Sequence, residues 1–286
     1  MMRARHLKTV LMRELGTFLS LAAALTAQAA HVHVQITFTS GTWNLHLFDF
    51  DSGRYDPSRI TIPVDVAARA SIPNDPLYAS LLGVAGTPVW IMPQNEHPQI
   101  LNLGIGTSSI TSGTFTNNQI KLSLHRVDGP GHFALFTSTP FGTPVVHMTS
   151  LDGVNPTNDF ISVPAVAGHI HLNWAFTEAG TYRIGFTAAG RLNSNSQISE
   201  SSVVDYTFVV EPLPPPKLLD PHLKPDRTFV CSLESEAHGV CRLESSADLR
   251  SWTPVVTVTN TTGRMEVAIP KSAGATLQFF RAALIP

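Results

Sequence analysis

The feature that most constrains this chain is the strict alternation of apolar and polar residues in runs too short for helices. "HVHVQITF" sets Val32, Val34, Ile36 and Phe38 on one side and His31, His33, Gln35 and Thr37 on the other. Side chains of a strand point alternately to its two faces, so such a run buries one face of a sheet and leaves the other polar. "WNLHLFDF", "RITIPVDV", "PVWIMP", "GTFTNNQIKLSLHRV", "HFALFTS", "ISVPAV", "YRIGFTAAG" and "VVDYTFVV" are further strand candidates, separated by turns rich in Gly, Pro, Asn and Asp. Only "DPLYASLLGVAG" suggests a short helix. The expected fold is therefore all-β: an antiparallel β-sandwich followed by a second, small all-β domain.

The ends of this domain are marked by composition. Arg3, Arg5, Lys8 and Arg13 precede the apolar stretch "LGTFLSLAAALTA", and Ala27-Gln28-Ala29 is a small-x-small cleavage site. Residues 1–29 thus read as a secretory signal peptide, too short in its apolar part to span a bilayer. Its removal leaves 15 basic against 20 acidic residues. That balance disfavours nucleic acid as a partner. No later run is long and apolar enough for a membrane span, so an exported protein is expected, in the periplasm, at the cell surface or outside the cell. The sandwich domain is expected over residues 30–210. "EPLPPPKLLDPHLKPD" (211–226) reads as a Pro-rich linker, and residues 227–286 as the small C-terminal β module. Cys231 and Cys241, the only cysteines, read as a disulfide stapling that module. The alternative is a pair of buried free thiols.

Four stretches carry a resemblance to a known family: "VWIMPQNEHPQILNLGIGT", "RVDGPGHFALF", "HIHLNWAFTEAGTYRIGF" and "VVDYTFVV". In this order they resemble the bacterial choice-of-anchor M, or actinobacterial surface-anchored protein, domain over residues ~31–211. The resemblance implies a β-rich exported domain with no defined enzyme activity, sometimes encoded beside metal-type ABC transporters. Such a transport system or a cell-surface component is the implied partner. This chain departs from the pattern in having no evident wall or membrane anchor. "RLESSADLRSWTPVVTVTNTTG" and the terminal "FFRAAL" resemble a small C-terminal β module of secreted bacterial proteins.

Nine of the 12 histidines fall in the first domain. Neutral imidazole is the commonest protein metal ligand near pH 7. Two His-x-His pairs, His31/His33 and His169/His171, each open a strand whose opposite face is apolar. Residues two apart on a strand share a face, so each pair can share one ion. If the two strands are neighbours, four imidazoles converge, enough for Zn or Cu as an ion or as a metal chelate. His132, after a Gly-Pro-Gly turn, is a further candidate ligand. Asn173, next on the His169/His171 face, is a candidate to orient a ligand by a hydrogen bond. His46, His97 and His125 have no partner in the pattern and read as surface. Trp90 and Trp174 read as core rather than as a sugar-binding platform. No hydrolase, protease or nucleotide-binding motif is present. A copper oxygenase with an N-terminal histidine brace requires cleavage directly before His31, a site the signal-peptide pattern disfavours. The competing class is a structural or adhesive surface module without a metal.

Overall fold

The computed structural model describes residues 31–166, 168–226, 228–237, 239–269 and 278–285, together with the backbone of Ala23–Ala24. The rest of the expected signal peptide, with its cleavage site, lies outside the described residues. The fold is all-β and of the sandwich type, with one α-helix, Pro76–Leu82, among the described residues. That helix lies where the sequence suggests it. Asp75 caps it, accepting the Leu77 N–H at 2.8 Å, and Gly83 at φ 102° ends it. No helix among the described residues is long and apolar enough to cross a membrane.

Three sheets surround the main core. The largest runs Ile60–Val64, Val204–Val210, Gly180–Arg191, Gln119–Asp128, Phe160–Pro164, with the Ala23–Ala24 pair at its open end and Ile198–Glu200 beside Gly180–Arg191. The second runs Pro144–Thr149, Phe133–Ser138, Asn173–Phe176, Pro88–Met92, Arg69–Ser71. The third runs His169–His171, Asn102–Gly106, His31–Thr39, Thr42–Asp49, Gly53–Tyr55. Val32, Val34, Ile36, Leu172 and Trp174 are fully buried in the shared core, as their alternation predicts, and Ile170 packs against it.

Two features differ from the expected plan. Not every pairing is antiparallel. His31–Gln35 runs parallel to Asn102–Gly106, Thr207–Val210 parallel to Thr61–Val64, and Ala23–Ala24 parallel to Ile60–Thr61. Parallel neighbours need a long crossover, and residues 40–101 supply one for the first pair. The run "HIHLNWAF" is also not one strand. His169–His171 pairs with Gly104–Gly106 in the third sheet, whereas Trp174–Phe176 pairs with Phe133–Leu135 and Trp90–Met92 in the second. The chain changes sheets at Leu172, which is wholly buried between them.

The C-terminal residues form two three-stranded sheets around a separate core. Lys217–Leu223, inside the segment expected to be a linker, is a strand paired with Phe229–Glu234. Arg69 of the first domain forms an ion pair with Glu236. The expected disulfide is absent: Cys231 and Cys241 are unbonded and buried. They stand on strands of different sheets and pack with Leu233, Leu243, Val267 and Ile269, and the Cys241 thiol donates to Ser235 Oγ at 3.3 Å. In this setting each cysteine serves as a small apolar core residue. Thiol titration of the denatured, unreduced protein is expected to find two free thiols; finding none would contradict this core.

Candidate metal centre

The third sheet turns one face to the core and the other outward, and the register places the outward residues in rows. Phe48, His33, Gly104 and His171 form the central row. His46, Gln35, Gly106 and His169 lie on one side of it. Phe50, His31 and Asn102 lie on the other. The two His-x-His pairs are therefore not on adjacent strands. They flank Asn102–Gly106, whose apolar Leu103 and Ile105 face the core.

The two glycines make this arrangement possible. A Cβ at Gly104 would lie 2.8 Å from His33 Cδ2 and 2.9 Å from His171 Cε1. At Gly106 it would meet Gln35 Oε1, and His33 Nδ1 at 2.8 Å. With no side chain at Gly104 or Gly106, imidazoles from either side fold over this part of the middle strand. "NLGIG" carries this signal as Gly-x-Gly at the parity opposite to two core residues, but its lack of polar alternation hides it among turn glycines.

The ligand atoms converge. His31 Nε2 lies 3.0 Å from His171 Nε2 and 3.0 Å from His33 Nε2, and the ligand atoms of all three lie within 4.8 Å of one another. A tetrahedral ion bonded to nitrogens at roughly 2.0–2.1 Å would set them about 3.3 Å apart. His31 Nε2 is the apex of this group and makes both short contacts. A ring nitrogen carries either one proton or one lone pair, so His31 Nε2 serves one of its two close neighbours well and the other badly. One cation would engage all three lone pairs. Buried polar atoms without partners collect on the same face. Gln35 Nε2, Asn102 Oδ1 and His171 Nδ1 account for three of the seven such atoms among the described residues. The donors thus fit a borderline metal such as Zn or Cu.

The electrostatics favour neutral ligands. Burial first, then the neighbouring His31, His171 and His169, lower the His33 pKa to about 4. Burial, then His31 and His169, also hold His171 below the usual imidazole range, and Glu96 opposes them. Phe50, 55% exposed, sets its ring 4.8 Å from that of His31 and 4.9 Å from that of His33. His169 is exposed. Its ring stacks on His33 at 5.6 Å and lies 5.7 Å from His171 and 6.5 Å from His31.

Of the five candidate ligands, His31, His33 and His171 form the triad, and His169 stands at its rim. His132 does not join them: it is exposed in the loop before Phe133, its N–H donating to Thr177 Oγ1 at 2.7 Å. Asn173 is not beside the imidazoles either. After the change of sheet its amide donates to Gln94 Oε1 and Ser138 Oγ, both at 3.1 Å, and accepts the Gln94 N–H at 3.0 Å. His46, read as surface, is instead buried, and its Nδ1 lies 2.9 Å from Asn44 Oδ1.

Burial, with a smaller contribution from Arg54, lowers the His46 pKa to about 4, as burial does for His33. Unfolded, each titrates near 6.5, so between pH 6.5 and 4 the unfolded chain binds more protons. The stability that these two neutral rings contribute to the metal-free protein should therefore be fully present above pH 6.5 and be lost progressively down to pH 4. Urea midpoints across that range check this, and the decline should be shallower in His46→Gln. A flat profile would contradict the burial of these rings.

Compared with known proteins, the chain matches no family model and, at a significant level, no curated protein. What fold and site define is a class: an all-β protein with a three-histidine cluster at metal-ligand spacing.

Proposed function

We propose that the first domain is an exported metal-binding module that holds one Zn or Cu ion on His31, His33 and His171. The single observation that carries this reading is the convergence of three imidazoles: His31 Nε2 lies 3.0 Å from both His33 Nε2 and His171 Nε2, and the three ligand atoms lie within 4.8 Å of one another. Export rests on the signal-peptide pattern, and the surface-anchored resemblance agrees with it. A metal-type ABC transport system or a cell-surface component is the proposed partner. Binding of the ion as a chelate has its own support. His171 also lines an open cleft of about 610 Å³, with Thr137, His147, Ser162, Ile170 and Leu172, beside the triad. Its walls, free of charged side chains, suit the organic part of a neutral complex. The module is read as non-catalytic.

The test is calorimetric titration of the full chain with Zn²⁺ and with Cu²⁺. One site per chain is expected, lost in His33→Ala and retained in His97→Ala. Equal binding by the parent and His33→Ala, or no binding by the parent, would replace this reading with that of a surface module without a metal.

A further inference from the structure

The four imidazoles are not equivalent, and the difference bears on what the site does with its ion. This inference rests on the metal-site reading above. His31, His33 and His171 already touch through Nε2. Their rings are fixed on three sides: by the glycine floor of Asn102–Gly106, by the Phe50 ring against His31 and His33, and by the burial of His33, 3% exposed. His169 is different. It belongs to the same face, two residues from His171, but the register puts it one row away, opposite Gly106. It is exposed, stands outside the set of converging ligand atoms, and meets the triad through ring stacking on His33.

We propose that the triad is a fixed three-nitrogen face and that His169 is an exchangeable fourth ligand, so that the domain passes its ion on. Three histidines leave a tetrahedral ion one position short. The donor best placed to fill it on this face is a solvent-exposed imidazole that must swing in, and nothing among its described contacts locks it there. With His169 in, the ion is closed against solvent. With His169 out, a donor from solvent takes its place. The three ligands are neutral, so the ion keeps its full positive charge, and the exogenous donor it favours is a small anion or an anionic group of a receiving molecule. A site built only to brace the fold would bury all four ligands. A carrier needs one that leaves without unfolding anything, and His169 meets that requirement because its imidazole contributes nothing to the core.

The experiment uses the full chain loaded with Co²⁺, whose visible spectrum reports coordination, with azide as the probe anion and a chromogenic chelator as the acceptor. In the parent, azide should alter the spectrum only at high concentration, because it must displace His169. His169→Ala should still bind one equivalent of Co²⁺, take up azide readily, and release its metal to the chelator about tenfold faster or more, since affinity changes fall mainly on release rates. His169→Cys, which restores a ligand, should slow release again. Unchanged azide response and release rate in His169→Ala would overturn the proposal, because His169 would then be no ligand. Complete loss of Co²⁺ from His169→Ala would overturn it as well, because His169 would then be a fixed ligand. Failure of the parent to bind Co²⁺, Zn²⁺ or Cu²⁺ would instead remove the metal reading itself.

Discussion

Gly104→Ala should abolish high-affinity metal binding while leaving the fold intact. The backbone at this position is not left-handed, so alanine costs the strand nothing in φ. The cost falls on the side chains above it. The added methyl would sit 2.8 Å from His33 Cδ2, 2.9 Å from His171 Cε1 and 3.0 Å from His33 Nε2. Ligand atoms must be held within about 0.5 Å of their working positions, so pushing two of three aside should lower affinity on the order of 100-fold. Titration of the variant, with its far-ultraviolet spectrum as the control for folding, checks this. Parent-like affinity would mean that the imidazoles do not bind metal over Gly104.

The largest effect on stability is expected from Trp174→Ala. Trp174 is wholly buried, packs among Phe133, Phe186 and Phe208, and donates its indole N–H to the Leu103 carbonyl at 3.0 Å. Truncating a core aromatic costs roughly 3–5 kcal/mol. At about 2–4 °C per kcal/mol for a domain of this size, Tm should fall by some 6–20 °C. Leu103 lies between Asn102 and Gly104, so the same hydrogen bond steadies the strand beneath the imidazoles. Trp174→Phe should recover most of the packing but not that bond, and so should show a smaller loss of Tm together with weakened metal binding. A change in Tm below about 2 °C for Trp174→Ala would contradict the packing described here.

Much of this was legible from local pattern, and what was not depended on non-local pairing. The alternation in "HVHVQITF" identifies both the buried Val32, Val34 and Ile36 and the outward His31 and His33, because each residue's side follows from its position alone. That His169 and His171 approach the same place was also readable from their parity. The middle strand was not. Asn102–Gly106 is buried at every residue, so it shows no alternation, and its glycines look like turn residues until the imidazoles above them are seen. The break at Leu172 was hidden for a similar reason: Asn173–Phe176 is buried on both faces, so a change of sheet leaves no mark in the pattern. The assignment of Asn173 failed with it. The disulfide expectation came from compartment and spacing, neither of which says that the Cys241 thiol lies against Ser235 on a strand of a different sheet from Cys231.

The most direct test of the central claim is an anomalous-scattering map, collected at the zinc or copper edge, from crystals of the full chain grown with that metal. One peak is predicted, within bonding distance (roughly 2.0–2.1 Å for zinc) of Nε2 of His31, His33 and His171. No peak among these three imidazoles, in crystals that hold the metal elsewhere or nowhere, would contradict it.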